Sequence, residues 1–444
     1  MNRQAKALGA NLFGWAAPCL PLAGVGLPLA VYLPHYYASV LGLDLGVVGG
    51  VFLAVRCIDI AVDPVIGWAM DRTHIRWGRY RTWMTLGTPV LALGVWEVFM
   101  AARPAGPMHL LGWLVVLYLG FSITTLAQLA WGAVLAPRYD ARSRLYGWWQ
   151  AGNIAGVLIA LFIPVLATRF AGGGEASGVH AMGAAIVFAL PVALGLNLWL
   201  TPEPRHPEAA PLHDLRAISD LFRRASLRKL VCCDLLLGLA PGLIGALLFF
   251  YFGAIKGFSQ AQSQTLMVVY FLGGLLAAPF WSWLATRAGK ARTLQLASLA
   301  FALFTACVGL IPTGAIATAH VVLFVAGLPY AAGLLLTRAM MADVADEVRL
   351  DTGEDRTGLL FSLLSLTTKL GFALSVGSLV VLQSVGFQAG GGNGQAALFA
   401  LQFMFLGAPV LLLAAAALVM RAYPLTAQRH AAIRTALDAR DGAA

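Results

Sequence analysis

Charged residues are scarce in this chain of 444 residues, of which they make up only 11%. Hydrophobic residues account for 59%, and the mean hydropathy is +0.78. A soluble globular domain needs more polar surface than this to stay dissolved, so the composition excludes that class. At ~20 residues per membrane-crossing helix, the chain has room for about a dozen spans and no separate soluble domain.

Paired histidines and clustered cysteines are also missing. The eight histidines are scattered with no H-x-x-x-H pair, and the five cysteines lie in apolar runs without metal-ligand spacing. An integral-membrane enzyme would need such a constellation near an interface, so this alternative is disfavoured. We therefore expect a protein that is not an enzyme and that carries no cofactor or disulfide framework.

The net charge of +10 is spread unevenly along the sequence. Nearly all lysines and arginines lie in alternate connections between apolar runs or near the two ends; the exceptions are Arg56, Arg103, Arg169, Lys256 and Lys369. This positive-inside pattern predicts that both termini are cytoplasmic and that the number of spans is even. The placement of the charge indicates contact with membrane lipid and no nucleic-acid partner.

Twelve apolar segments fit membrane spans and predict an all-α integral membrane protein with two pseudo-symmetric six-helix bundles. They lie near 11–38, 46–70, 84–102, 109–134, 147–168, 180–200, 230–253, 263–285, 293–312, 317–340, 358–383 and 396–421. The longest connection predicts an N-terminal bundle at 1–200, a cytoplasmic linker at 201–229, a C-terminal bundle at 230–422 and a cytoplasmic tail at 423–444. A short echo between 64–76 and 279–291 supports two related halves.

The second span carries three ionisable residues, Arg56, Asp59 and Asp63. On a helix these residues share one face. Each costs about 2.5–3.5 kcal/mol inside a membrane, so such residues usually face a protein interior or a wet cavity. Pro64 cannot donate to the carbonyl of Ile60, which leaves an oxygen free beside the carboxylates. The segment therefore predicts a cation site.

Three blocks of sequence carry a family resemblance: RCIDIAVDPVIGWAMDRTHIRWGRYRTW, AWGAVLAPRYDARSRLYGW and ADVADEVRLDTGEDRTGLLFSLLSLTTKLG. Together with the loop around Gly67, Asp71 and Arg72, they resemble the glycoside–pentoside–hexuronide:cation symporters, the melibiose-permease relatives within the major facilitator superfamily. The resemblance implies the major facilitator fold in a cell membrane. It also implies symport of a sugar, glycoside or uronide with H⁺ or Na⁺ by alternating access.

For the cation, the resemblance implies binding by Asp59, Asp63 and Thr124, with Asp59 and Asp63 as the metal ligands if the ion is Na⁺. Sodium-using relatives often have an asparagine where this chain has Val62. Because Na⁺ wants several oxygen ligands and a proton needs only a carboxylate, we place H⁺ slightly ahead. Lys369 matches a family lysine that approaches the cation site. With Arg56 and Lys369 opposing two acids, the empty site would be neutral, which favours a neutral or anionic solute.

For the solute, the sugar-binding acids and arginine of melibiose permeases are replaced here by Ala23, Ala127 and Gly152. An aromatic residue remains at Trp131. Uncharged hydrogen bonds are expected instead from Gln128 and Asn153. This departure leaves a lysolipid-like amphiphile open as the solute, and a uniporter or exporter of the same fold remains an alternative mechanism.

The loop charges predict a cytoplasmic gate. One charged corner consists of Asp71, Arg72, Arg76 and Arg79, and another of Asp343, Asp346, Glu347 and Arg356. Ion pairs among such residues would close the cytoplasmic side of an alternating-access carrier. Asp234, near the start of the seventh span, is expected instead to snorkel toward Arg228 and Lys229. We expect the carrier to be monomeric.

Overall fold

The computed structural model describes residues 12–73, 75–102, 104–136, 138–171, 175–203, 221–388 and 393–442. Within these ranges the chain is almost entirely helical and contains no strand. The helices are α1 Cys19–Leu27, α2 Leu45–Asp71, α3 Arg79–Phe99, α4 Pro107–Leu135, α5 Tyr139–Ala171, α6 Glu175–Leu200, α7 Ala225–Ala254, α8 Gln260–Ala288, α9 Lys290–Val308, α10 Ile316–Gly327, α11 Tyr330–Thr352, α12 Thr357–Ser384, α13 Gln395–Gln402, α14 Ala408–Val419 and α15 Ala427–Gly442.

Nine helical stretches in the described ranges are long and apolar enough to cross a membrane. Helices α2 and α3 are not among these nine, although with 27 and 21 residues each is long enough to cross a bilayer. The predicted segment near 317–340 is interrupted, because α10 ends at Gly327 and α11 begins at Tyr330 and runs on to Thr352. The indole of Trp281 donates to the carbonyl of Leu328 at this interruption (2.7 Å), which satisfies an acceptor that the broken helix leaves open.

The ends of several helices follow from local sequence. Asp44 caps α2, where its side chain accepts the backbone N–H of Val47 (3.0 Å). Ser259 and Gln262 form a reciprocal capping box at the start of α8. Gly289 separates α8 from α9 with a φ of +85°, a conformation that L side chains rarely adopt. These caps place the breaks between helices where the sequence has polar residues or glycine.

The described residues divide into two compact units. The first draws on Met1–Pro137, Trp148–Pro211 and Thr352–Ser362, and the second on Arg138–Gly147, Leu212–Asp351 and Leu363–Ala444. The predicted linker at 201–229 lies partly outside the described residues, at 204–220, while α7 already begins at Ala225. The predicted tail contains helix α15.

Small residues bring α3 and α4 together in the first unit. A Cβ atom on Gly94 would lie 2.6 Å from Cα of Leu117, and one on Gly120 would collide with the backbone of Leu91. Close backbone approach through glycine is a common way of packing membrane helices. Helix α4 also packs against α2. This packing places α4 beside the helix that carries the acidic pair.

Candidate functional site

The acidic pair of α2 is buried in the first unit. Asp59 is 4% exposed and Asp63 is completely buried. The hydroxyl of Ser122 in α4 donates to Oδ1 of Asp59 (2.8 Å), and Nη1 of Arg56 lies 3.5 Å from Oδ2. A charged carboxylate is costly to bury without such donors. The structure thus brings Arg56 and Asp59 together and adds a serine from the neighbouring helix.

Arg56 is the more solvent-accessible member of this group. Its side chain is 32% exposed, whereas that of Asp59 is 1% exposed. Its guanidinium lies 5.5 Å from the ring centroid of Tyr118 in α4, a cation–π distance. The long ion-pair distance and the exposure of Arg56 make this a weak ion pair.

Thr124 has a different environment from that of Ser122. Its hydroxyl donates to the carbonyl of Gly120 in its own helix (2.8 Å). Its oxygen faces α3, since a Cβ on Gly87 would lie 2.7 Å from it. Cation binding by Thr124 stays a prediction, and Ser122 is the hydroxyl that the structure places on Asp59.

Gln128 of α4 forms hydrogen bonds with the first apolar segment of the chain. Its Nε2 donates to the carbonyl of Trp15 (2.9 Å) and approaches Sγ of Cys19 (3.3 Å), while Nε1 of Trp15 donates to the carbonyl of Gln128 (3.1 Å). These partners fix the orientation of the amide. Its Oε1 is buried without a hydrogen-bond partner among the described residues, as is Oε1 of Gln150. Buried acceptors of this kind call for a donor from water or a ligand.

Trp131 and Asn153 have local partners in the structure. The indole of Trp131 is fully buried and donates to the carbonyl of Pro202 (3.3 Å), with the Arg81 guanidinium 5.9 Å from its ring. The amide of Asn153 donates to the carbonyl of Trp149 in its own helix (2.8 Å). Trp131 therefore packs against the segment that follows α6. Solute contact by either side chain stays a prediction.

The prediction that Asp234 snorkels toward Arg228 and Lys229 is wrong. It is 2% exposed and forms an ion pair with Arg338 of α11 (2.7 Å) in the second unit. The positive-inside pattern assigns Arg338 to a connection, but α11 continues well beyond it. Burial in a helix interior favours a nearby partner of opposite charge over a distant interface. Lys369 lies in α12 of the same unit and is 9% exposed; its approach to the acidic pair stays a prediction.

Asp71 closes the end of α2 against the start of α12 in the first unit. Its carboxylate accepts the backbone N–H groups of Gly358 (2.7 Å) and Leu359 (2.8 Å). A carboxylate at a helix N-terminus satisfies free donors and interacts favourably with the helix dipole. Arg79 lies between Asp71 (3.7 Å) and Asp355 (3.0 Å).

The gate role of the other predicted residues stays a prediction, and several of them have local contacts. The guanidinium of Arg72 stacks over the ring of Trp68 at 4.0 Å, and Arg76 is exposed. Arg356 pairs with Glu354, two residues before it. Near the start of α3, Glu203 accepts two backbone N–H groups, and burial raises the pKa of its carboxyl. In the first corner, Arg79 and the N-terminus of α12 are the described partners of Asp71.

Asp346 belongs to a larger cluster in the second unit. It pairs with Arg142 (2.9 Å), His430 (3.0 Å) and Arg434 (3.5 Å). His430 and Arg434 lie on α15, so the C-terminal helix is bonded to α11. Asp343, one turn earlier, pairs with Arg142 and Lys290.

Several of these partners were not identified from the sequence. Ser122 gives no signal beyond its position two residues before Thr124. Asp234 does give one, because it stands in an apolar segment, whereas Arg338 lies at the edge of one and was counted with a connection. His430 lies in a stretch that reads as a charged tail.

The chain has extensive similarity to known transporters. The family model described as "MFS/sugar transport protein" matches residues 14–427. The inner membrane symporter YicJ of Escherichia coli is 24% identical over 77% of this chain and 75% of its own length. The sodium-dependent lysophosphatidylcholine symporter 1-B of Danio rerio is 22% identical over 94% of this chain and 87% of its own.

A solved structure shows the same fold. The crystal structure of the E. coli fucose:proton symporter FucP superposes with a TM-score of 0.68 at 17% identity, covering 96% of this chain and 99% of that one. These matches confirm the family resemblance and place the chain among transporters rather than enzymes. With a family match over nearly its whole length, this multi-pass membrane protein belongs to the MFS/sugar transport protein family of the major facilitator superfamily.

Proposed function

We propose that this transporter couples the movement of a solute to that of H⁺ or Na⁺, with Asp59 and Asp63 as the cation site. The observation that carries the proposal is the burial of both carboxylates in one membrane helix. Keeping two acids there is costly, and the cost is understandable if a cation binds and leaves during each cycle. The weak attachment of Arg56 supports an exchangeable site, since a cation can replace it on Asp59.

We infer that the solute is an uncharged or anionic sugar, glycoside or uronide. The support comes from Gln128, whose buried Oε1 is free to accept a hydrogen bond from a solute hydroxyl. Trp15 and Cys19 hold the amide in place, so the acceptor is preorganised. The second candidate is a lysolipid-like amphiphile, favoured by the lysophosphatidylcholine symporter that matches 94% of this chain.

The coupling is tested with Asp59→Asn and Asp63→Asn variants reconstituted in liposomes. The solute is first found by a thermal-shift screen of sugars, glycosides, uronates and lysolipids. We expect each variant to lose accumulation driven by a Na⁺ or pH gradient, because the neutral amide cannot exchange a cation. Downhill exchange of the solute should persist. Uptake is measured with labelled solute under imposed gradients.

A matched control is Asp44→Asn, which makes the same chemical change at the exposed N-cap of the same helix, where asparagine caps equally well. It should accumulate solute like the parent. Undiminished gradient-driven accumulation in both buried-site variants would show that neither acid carries the coupling. A parent protein that moves the solute only downhill, with no dependence on Na⁺ or pH, would be a uniporter.

We further propose that the corner formed by Asp71, Arg79 and the N-terminus of α12 is a cytoplasmic gate, in a chain of twelve spans with both termini in the cytoplasm. Support comes from the close approach of Gly67 and Gly358: a Cβ on Gly358 would lie 2.6 Å from the carbonyl oxygen of Gly67. A gate must open, so its contacts must be individually modest. The contact described here combines short hydrogen bonds with a small glycine surface.

The gate is tested with Gly358→Ala. Overpacking of this kind costs about 1–3 kcal/mol, which corresponds to a loss of the closed state of about 5- to 150-fold. We expect slower solute counterflow, measured in liposomes. Gly377→Ala in the same helix is the control, because nothing lies within 4 Å of a Cβ there. Equal counterflow in the two variants would remove the gate from the mechanism.

A further inference from the structure

A second buried charged cluster lies in the second unit. Oδ1 of Asp234 accepts from Nη1 of Arg338 (2.7 Å). Its Oδ2 accepts from the hydroxyls of Thr367 (2.7 Å) and Thr368 (3.0 Å) in α12. Asp234 is 2% exposed and Arg338 is 4% exposed. Each hydroxyl also lies within reach of the Leu364 carbonyl (2.9 and 3.0 Å), so its one proton is shared between the two acceptors. Three helices meet at this carboxylate.

This cluster fixes the rotation of α12 about its own axis. Successive residues of a helix are about 100° apart, so bonds to both Thr367 and Thr368 restrain rotation in a way that one bond would not. Arg338 adds a bond from Nη2 to the Thr368 hydroxyl (2.9 Å), so both members of the ion pair grip the helix. Lys369 is the next residue, and its direction follows from that rotation.

Stability alone does not account for such a cluster. A buried ion pair often contributes no more stability than apolar residues of the same volume would. Hydrogen bonds differ from apolar contacts in being directional, so they specify one orientation among several of similar packing. The cluster therefore specifies one rotation of α12 about its own axis.

We propose that Asp234 and Arg338 are positioning residues, which act through Thr367 and Thr368 to set the direction of the Lys369 ammonium group. The inference rests on the proposed cation coupling and on the predicted approach of Lys369 to the cation site. It assigns a task to the second unit: holding a cationic side chain in one direction while the carrier changes conformation.

The first test measures the direction of Lys369 without reference to transport. The chain has only five lysines, Lys6, Lys229, Lys256, Lys290 and Lys369, so the rate of reductive methylation of each is readable by mass spectrometry. We expect the Thr367→Val/Thr368→Val variant to change the Lys369 rate several-fold. Lys290, bonded to Asp343 in another cluster, is an internal control and should be unchanged.

Conservative variants separate the hydroxyl from the packing. Thr368→Ser keeps the donor and should retain the parent rate at Lys369, whereas Thr368→Val should not. Should the double valine variant fail to fold, the single Thr368→Val variant is compared with Thr368→Ser in the same way. An unchanged Lys369 rate in a folded valine variant would overturn the proposal.

The second test connects the cluster to the cation. The Na⁺ concentration or pH that gives half-maximal thermal stabilisation is measured for the parent and for the double valine variant. We expect a several-fold change that disappears when Lys369→Ala is added, because both changes act through one ammonium group. A merely structural role would lower the melting temperature without changing the half-point, and the effects of the two changes would add.

The two tests distinguish the two possible failures. A parent protein whose stability responds to neither Na⁺ nor pH contradicts the proposed coupling, while the lysine reactivity still decides whether the cluster positions Lys369. Conversely, a cation response in the parent that survives the valine substitutions unchanged, with Lys369 equally reactive, contradicts the positioning role and leaves the coupling intact.

Discussion

Asp59 in the first unit and Asp234 in the second are both buried acids with an arginine partner, yet their attachments differ. The Arg56–Asp59 distance is 3.5 Å and the arginine is 32% exposed. The Arg338–Asp234 distance is 2.7 Å and the arginine side chain is 5% exposed. Among the described contacts, Asp59 accepts from the hydroxyl of Ser122, and Asp234 lies within hydrogen-bond distance of the hydroxyls of Thr367 and Thr368.

The difference indicates two uses of the same residue type. A carboxylate held loosely by a partly exposed arginine can exchange that partner for a cation at little cost. A carboxylate held by a buried arginine and two hydroxyls cannot, because breaking the set leaves uncompensated buried charge. The first arrangement suits a binding site, and the second suits a fixed joint between helices.

The largest expected difference between the two acids is in the free energy of unfolding that is lost when each is replaced by asparagine. Asp234→Asn should destabilise the protein by about 3–5 kcal/mol, because it leaves the buried Arg338 without its counter-charge. Asp59→Asn should cost less than about 1 kcal/mol in lost ion pairing, since Arg56 is partly exposed. Thermal unfolding of the purified variants in detergent measures both.

The control for this prediction is Asp234→Asn/Arg338→Gln, which removes both charges at once. It should recover most of the loss, because no isolated buried charge remains. Equal destabilisation by Asp234→Asn and Asp59→Asn would abolish the distinction between the two acids.

A smaller effect sharpens the assignment of the cation site. Ser122→Ala removes a hydroxyl oxygen that lies 2.8 Å from Asp59. Because Na⁺ needs several oxygen ligands and a proton needs only the carboxylate, the substitution should weaken the response to Na⁺ by about tenfold, roughly 1.4 kcal/mol. The response to a pH gradient should change less. Uptake in liposomes under each gradient measures the two responses.

Ser122→Thr is the matched control, since it keeps the hydroxyl and should retain the parent response. Thr124→Ala tests the residue that the family resemblance implies, and its hydroxyl bonds within its own helix. A larger loss in Thr124→Ala than in Ser122→Ala would show that Thr124, as the resemblance implies, and not Ser122 is the hydroxyl that binds the cation.

Much of the fold was predictable, because hydropathy and charge are local properties. Apolar runs in the sequence indicate where a helix can cross a membrane. Glycine turns and polar caps indicate where it ends. The interruption between α10 and α11 was not predicted, because Gly327 and Pro329 stand inside a continuous apolar run. The extension of α11 to Thr352 was also not predicted. The apolar run ends near residue 340, but a helix can continue beyond its apolar residues.

By itself, the sequence determined that this is a membrane transporter with two acids four residues apart in one helix. Composition, the spacing of Asp59 and Asp63 and the family blocks are all contained in contiguous stretches of chain. Tertiary structure alone decided which partners those acids have. Ser122 lies 63 residues from Asp59, and Arg338 lies 104 residues from Asp234. Such pairings depend on the rotation of each helix against its neighbours, which the packing of whole faces sets and no short stretch encodes.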